Sequence, residues 1–154
     1  MRLMDMDLLK LVALDRDDIA VISVHLQDAV MKVADIRWRP EERRLVLGLN
    51  RFDWEAAEGS APVYRRRRTA LRFDRVLALK CRNLSPKDKD AVLNLLAVEF
   101  EENDNPGGTV ILTFSGGVAL RLEIECLEVE LVDLGPTWTT VKCPKHPTGA
   151  DARS

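Results

Sequence analysis

Four consecutive arginines, Arg65-Arg66-Arg67-Arg68, are the densest cluster of charge in the chain. Guanidinium forks pair bidentately with carboxylate and phosphate oxygens, so such a run suits an acidic or phosphorylated partner. Arg51 and Arg72 lie near it in sequence, and Trp38, Trp54 and Tyr64 supply rings that could stack on bases. From Arg37 to Arg75 there are eleven Arg against six acidic residues, a net of +5. From Glu99 to Asp133 there are nine acidic residues and one basic, Arg121, a net of -8. One reading makes Arg51, Trp54, Arg65, Arg66, Arg67, Arg68 and Arg72 a binding surface for an acidic partner. The other pairs the arginine-rich strand with the glutamate-rich one, where opposite charges across a sheet fix register. Alternation along a strand would send two of the four arginines to each face, so an undivided patch requires an irregular segment.

Other constellations are weaker. His25 and Asp28 stand one helical turn apart and could form an acid/base pair. No Ser or Cys nucleophile motif accompanies them, and His25 beside Leu26 also reads as a surface residue near the core edge. With Asp53 they could line a pocket near Trp54, the alternative reading of a small-molecule binder or enzyme. Cys143-Pro-Lys-His146 has ligand spacing but is half of a zinc site, and Cys81 and Cys126 read as small core residues. Gly107-Gly108 and Gly116-Gly117 lack the strand-to-helix context of a phosphate cradle. In Asn50-Arg-Phe-Asp-Trp54, Phe52 and Trp54 either serve a site or cap the core where a loop begins. No catalytic residue, metal or cofactor is assigned.

Composition bounds the rest. The 154 residues suffice for one domain with a real core, and 46% hydrophobic with 31% charged residues is globular composition. A net charge of -2 argues against a wholly basic nucleic-acid binder. Apolar runs reach about five residues, far short of a bilayer span. Asp5 and Asp7 interrupt the start where a secretory signal needs an apolar stretch. Three cysteines without framework spacing suit a reducing cytoplasm.

The elements that must position these groups are mostly strands. Leu8 to Leu14 reads as a strand, and Asp15-Arg-Asp-Asp18 resembles a capping box with Asp in place of Glu. Ile19, Ile22 and Leu26 at helical spacing predict a helix over about Asp17 to Asp28. Val33 to Trp38 and Arg44 to Asn50 bracket a turn at Arg39–Arg43, a hairpin. Thr69, Leu71 and Phe73 on one side of Asp74-Arg75, with Leu77, Leu79 and Cys81 on the other, predict a second hairpin. Glu55 to Pro62 reads as a loop. Ser85-Pro86 predicts one helical turn, with strand following by Leu96 to Phe100. Thr109 to Phe114 and Val118 to Cys126 flank Ser115-Gly-Gly117, a third hairpin. At Leu127 the alternation slips by one residue, which is either a bulge or a strand end with a fresh start. A strand, a helix and then some seven strands joined by short turns imply an antiparallel sheet with the helix against one face.

The strings His25-Leu-Gln-Asp-Ala-Val30, Leu49-Asn-Arg-Phe-Asp-Trp-Glu55, Thr69-Ala-Leu-Arg-Phe-Asp-Arg-Val76 and Leu134-Gly-Pro-Thr-Trp138 resemble an uncharacterised alphaproteobacterial family, a domain of unknown function. The resemblance runs from about Leu8 to Trp138. It implies a single-domain bacterial cytosolic protein, encoded near a cell-wall precursor transferase and a histidine-biosynthesis dehydrogenase, and it transfers no catalytic residue.

Together these observations give an α+β domain over residues 1–138, a curved antiparallel sheet or partly open barrel with one N-terminal helix, and an extended tail over 139–154. A pleckstrin-homology-like barrel is the alternative topology. The functional expectation is a non-enzymatic cytoplasmic binding protein with an acidic protein partner. Nucleic acid ranks behind that, a homodimer through strand edges is a further class, and no membrane is involved.

Overall fold

The computed structural model describes residues 8–52 and 65–139. The chain begins with β1 (Lys10–Ala13) and α1 (Arg16–His25), then β2 (Ala29–Lys32), β3 (Ile36–Arg39) and β4 (Arg44–Phe52). After the undescribed 53–64 come β5 (Arg65–Phe73), β6 (Val76–Arg82), β7 (Val92–Glu102), β8 (Gly108–Phe114), β9 (Ala119–Ile124) and β10 (Val129–Thr139). All ladders are antiparallel, in a ten-stranded sheet ordered β1-β10-β5-β4-β2-β7-β8-β9-β6, with β3 added beside β4. The sheet is open, and the fold is the mixed α+β arrangement with one N-terminal helix that the sequence implies. An open sheet with β1 and β6 at its two ends is not the closed barrel of the pleckstrin-homology-like alternative.

The capping signal at Asp15 operates with a shift. The Asp15 carboxylate accepts the Asp18 N–H at 2.8 Å, while the Asp18 carboxylate accepts from Leu14 N, one residue outside a strict capping box. The helix buries Ile19 and Ile22 against the core and ends at Leu26, ahead of Asp28 in the left-handed region at φ 64°. It lies along β7: Asp28 N donates to Leu95 O at 2.9 Å, and Val98 N donates to the Ser23 hydroxyl at 3.0 Å. The helix thus satisfies a backbone donor of β7 beyond the point where the β2 ladder ends at Leu95.

Two hairpins appear as expected, β3–β4 around Pro40–Glu42 and β8–β9 around Ser115–Gly117. The expected hairpin across Asp74-Arg75 does not. β5 pairs with β4 and β10 while β6 pairs with β9, so the chain leaves one half of the sheet at this corner and enters the other. Arg75 sits at φ 60°, and Val76 N donates to Arg43 O rather than back to β5. The helical turn expected after Ser85 is instead two successive turns, closed by Asp88 N to Ser85 O and Ala91 N to Asp88 O at 3.1 Å each. β7 is strand from Val92 onward. The slip of alternation at Leu127 is a fresh start, because β9 ends at Ile124 and β10 opens at Val129.

The core draws on both halves of the sheet. Leu45, Leu47 and Leu49 of β4 meet Phe73, Leu71 and Thr69 of β5 in register, and Val129, Leu131 and Asp133 of β10 continue those rows. The first two rows are fully buried and apolar, and the third ends in a carboxylate. Period-2 alternation carries this inward face one step further, to Arg51 and Arg67, which are directly opposite each other.

Candidate functional site

The alternation divides the arginine run between the two faces of the sheet. Arg67 points inward with Thr69 and Leu71, while Arg66 and Arg68 point outward with Ala70 and Arg72. The segment is regular strand, so the outer patch is not an undivided run of four.

The inward members build an ionic end to the core. Arg51 and Arg67 are 1% and 2% exposed, too deep to meet a partner at the surface. Arg51 forks onto Asp133, Nε to Oδ1 at 2.8 Å and Nη2 to Oδ2 at 2.7 Å. The Thr69 hydroxyl donates to Oδ1 at 2.8 Å, Leu9 N to Oδ2 at 2.9 Å, and Arg67 Nε approaches Oδ2 at 3.9 Å. Asp133 N donates back to Leu9 O, so one residue ties the start of the described chain to β4 and β5. Burial works against the charged carboxyl, but the Arg51 fork, the Leu9 N–H and the Thr69 hydroxyl outweigh it and hold Asp133 below the usual range. Such a cluster is stable because every carboxylate lone pair is used.

The outward members lie on the solvent face of β3, β4, β5 and β10. Arg66 is half-buried: its Nη1 donates to Asn50 O at 3.1 Å and Asp28 O at 3.3 Å, and its guanidinium lies 5.8 Å from the centre of the Phe52 ring. Burial pushes this guanidinium below its usual value, and Asp28 partly offsets the effect. Arg66 therefore clamps the α1–β2 turn onto β4. Arg68 crosses β4 above Gly48 to reach Asn50 Oδ1 at 3.2 Å and Asp35 at 3.5 Å; a Cβ at Gly48 would stand 2.6 Å from its Nη2. Arg72 lies between Asp74 at 3.1 Å and Glu130 at 3.2 Å. Arg44 shares Asp74 at 2.8 Å, and Arg39 reaches Glu42 at 3.8 Å. Arg37, in register with Val46 and through it with Arg72, is exposed and has no ion pair among the described residues. The result is a lattice in which carboxylates sit between arginines.

The remaining candidates are dispersed. His25 is half-buried in the last turn of α1. Trp54 and Asp53, like Cys143 and His146, lie outside the described residues, and Arg65 is described only as the first residue of β5. Trp38 faces inward and packs against the core. Cys81 and Cys126 are free; Cys81 is exposed at a strand edge rather than in the core, yet partial burial pushes its thiol up, away from a reactive thiolate. Among the described residues no group of three or more His, Cys, Asp or Glu could hold a metal ion. A cleft of about 160 Å³ lies between the start of α1, Phe100 and Glu102 of β7, and Cys126, far from His25 at the other end of the helix. No described helix is long and apolar enough to cross a membrane.

A family model described as a protein of unknown function, DUF2948, matches residues 9–146. The chain belongs to the DUF2948 family. No curated protein and no solved structure matches it. The DUF2948 match passes beyond Trp138 and takes in Cys143 and His146. Membership in DUF2948 brings no assigned activity, and the reading of the site stands on its geometry.

Three participants escaped the sequence reading: Asp133, Asp35 and Gly48. Asp133 carried a signal, since it keeps step with Val129 and Leu131 and so marks a carboxylate on the inner face. Arg51 likewise keeps step with Leu45, Leu47 and Leu49. Asp35 and Gly48 carried none, because their part depends on Arg68 lying across a neighbouring strand.

Proposed function

We propose that this DUF2948 protein is a non-enzymatic binding protein that engages an acidic protein segment through the outer face of β3, β4 and β5. The observation that carries the reading is the outward row Arg37–Val46–Arg72 together with Arg39, Arg44 and Arg68, all on one face of a rigid sheet. Their internal partners are exposed or half-buried carboxylates at 2.8 to 3.8 Å, pairs that in water contribute about 0–1 kcal/mol and exchange readily for an incoming carboxylate. Arg68 and Arg72 are the contact residues. Arg66 orders the α1–β2 turn beside them, and Arg51 and Arg67 support the strands from behind. Arg65 and Trp54 join the proposal on sequence position alone.

A protein partner is favoured over nucleic acid because Asp35, Glu42, Asp74 and Glu130 interrupt the arginines, which would repel a continuous phosphate backbone. Trp38, a candidate for base stacking, faces inward. A bacterial cytoplasmic setting agrees with the family resemblance and the free thiols of Cys81 and Cys126.

The test is fluorescence anisotropy with a labelled polyglutamate chain and a single-stranded DNA of equal charge. Polyglutamate binding that raised salt reverses, with weaker DNA binding, is the expected result. Absence of polyglutamate binding at low salt would remove the proposal, and tighter binding of the DNA would replace it with the nucleic-acid reading.

A further inference from the structure

A second basic feature lies at the opposite margin of the molecule and does not depend on the outer face just described. β6 is the last strand in the sheet order, and no described strand flanks its far side. Its first residue is engaged, since Val76 N donates to Arg43 O, and a register shift follows between Val76 and Ala78. From Ala78 to Arg82 the strand is regular, in step with Glu123 back to Ala119. Alternate residues of that stretch direct their backbone N–H and C=O groups away from β9, the arrangement that an added strand requires.

The side chains of this edge alternate in chemistry. Leu79 and Cys81, opposite Leu122 and Leu120, occupy the core-ward face; Leu79 packs on the core margin and Cys81 is exposed. Lys80 and Arg82, opposite Arg121 and Ala119, occupy the solvent face, and both are exposed with no ion pair within 4 Å among the described residues. Lys80 and Arg121 form a like-charged cross-strand pair, an arrangement that disfavours the ladder unless an anion joins it. Glu123 binds Arg121 from its own strand at 3.0 Å and feels Lys80 only at longer range, beyond ion-pair distance, which leaves Lys80 outermost.

We propose that the free edge of β6 over Ala78–Arg82 accepts an extended partner segment in which acidic and apolar residues alternate. Its carboxylates would meet Lys80 and Arg82, and its apolar side chains would extend the Leu79–Cys81 face. A second copy of β6 is the wrong occupant, because antiparallel self-pairing brings Lys80 and Arg82 of each copy onto one face. Charged edge residues are a common guard against edge-to-edge association. A guard of a single sign excludes its own kind while admitting the opposite charge.

The experiment uses the full chain and a labelled peptide of alternating valine and glutamate, with a valine–lysine peptide as control. The expected result is saturable binding of the glutamate peptide alone, with amide exchange slowed at residues 78–82. Lys80→Glu with Arg82→Glu should weaken it at least about tenfold, the equivalent of about 1.4 kcal/mol, while an unchanged circular dichroism spectrum reports an intact fold. Arg68→Glu with Arg72→Glu should leave the exchange protection at residues 78–82 unchanged, which separates this edge from the outer face. No binding, equal binding of the lysine peptide, no protection at residues 78–82, or a β6-mediated dimer in sedimentation would each overturn the proposal.

Discussion

Arg51 and Asp133 meet side-on as a two-bond fork, 2.8 and 2.7 Å, at the point where the inward face of the sheet changes from leucine to charge. The pair joins β4 to β10 across β5, and the neighbouring Leu9 bonds bring in the start of the described chain. A buried carboxylate bearing this many donors is a structural anchor, and it draws Arg51 and one member of the arginine run, Arg67, into the interior.

Asp133→Asn should be among the most damaging single changes in the chain. It leaves Arg51 buried without its counter-charge and Leu9 N with a poorer acceptor. Removing one partner of a buried pair costs about 3–5 kcal/mol. Urea denaturation should show the midpoint falling with little change in slope; a loss below about 1 kcal/mol would mean that the cluster relaxes into water.

The same carboxyl makes stability depend on pH in one direction. Its folded pKa is held below the ordinary value, so its contribution is complete above the unfolded Asp value of about 3.9 and is lost as pH falls through the folded pKa. Acid titration of unfolding free energy should therefore fall more steeply below about pH 4 in the natural chain than in Asp133→Asn. Parallel curves would contradict this assignment.

Gly48 and Arg68 should be energetically coupled. Alanine is better than glycine in a strand by roughly 0.5–1 kcal/mol, but here its Cβ would displace the tip of Arg68. Gly48→Ala should be near neutral alone and stabilising in an Arg68→Ala background, a non-additivity read from a double-mutant cycle. Identical effects in both backgrounds would show that Arg68 does not rest on Gly48 in solution.

Gly108→Ala should be costly for a different reason. Its Cβ would run into the Glu101 carbonyl oxygen and stand 2.6 Å from the Phe100 ring, and backbone cannot step aside as a side-chain tip does. A destabilisation of at least about 2 kcal/mol in thermal or urea unfolding is expected. A neutral result would require the β7–β8 ladder to be looser than described.

Much of the fold was legible because local signals agreed. The Asp15 cap, the Ile19–Ile22–Leu26 spacing and the glycines after Ser115 each fixed one element. Pairing was less legible. Asp74-Arg75 has the sequence of a tight turn, yet Phe73 and Val76 belong to different halves of the sheet, and nothing local distinguishes a corner from a hairpin. Likewise Ser85-Pro86 offers a helix start, but Leu93, Leu95, Val98 and Phe100 belong to the core of the sheet and the segment extends into β7. At the site, alternation correctly divided Arg66, Arg67 and Arg68 between faces. Long-range partners such as Asp133 and Asp35 required the three-dimensional arrangement of strands.

The measurement that bears most directly on function compares polyglutamate affinity for the natural chain and for Arg68→Glu with Arg72→Glu, each shown by thermal melting to be folded. Loss of affinity of at least about tenfold, shrinking as salt rises, is the result the outer-face account predicts. Equal affinity in the two proteins would mean that these arginines serve only their own carboxylates, and the binding surface would have to be sought elsewhere.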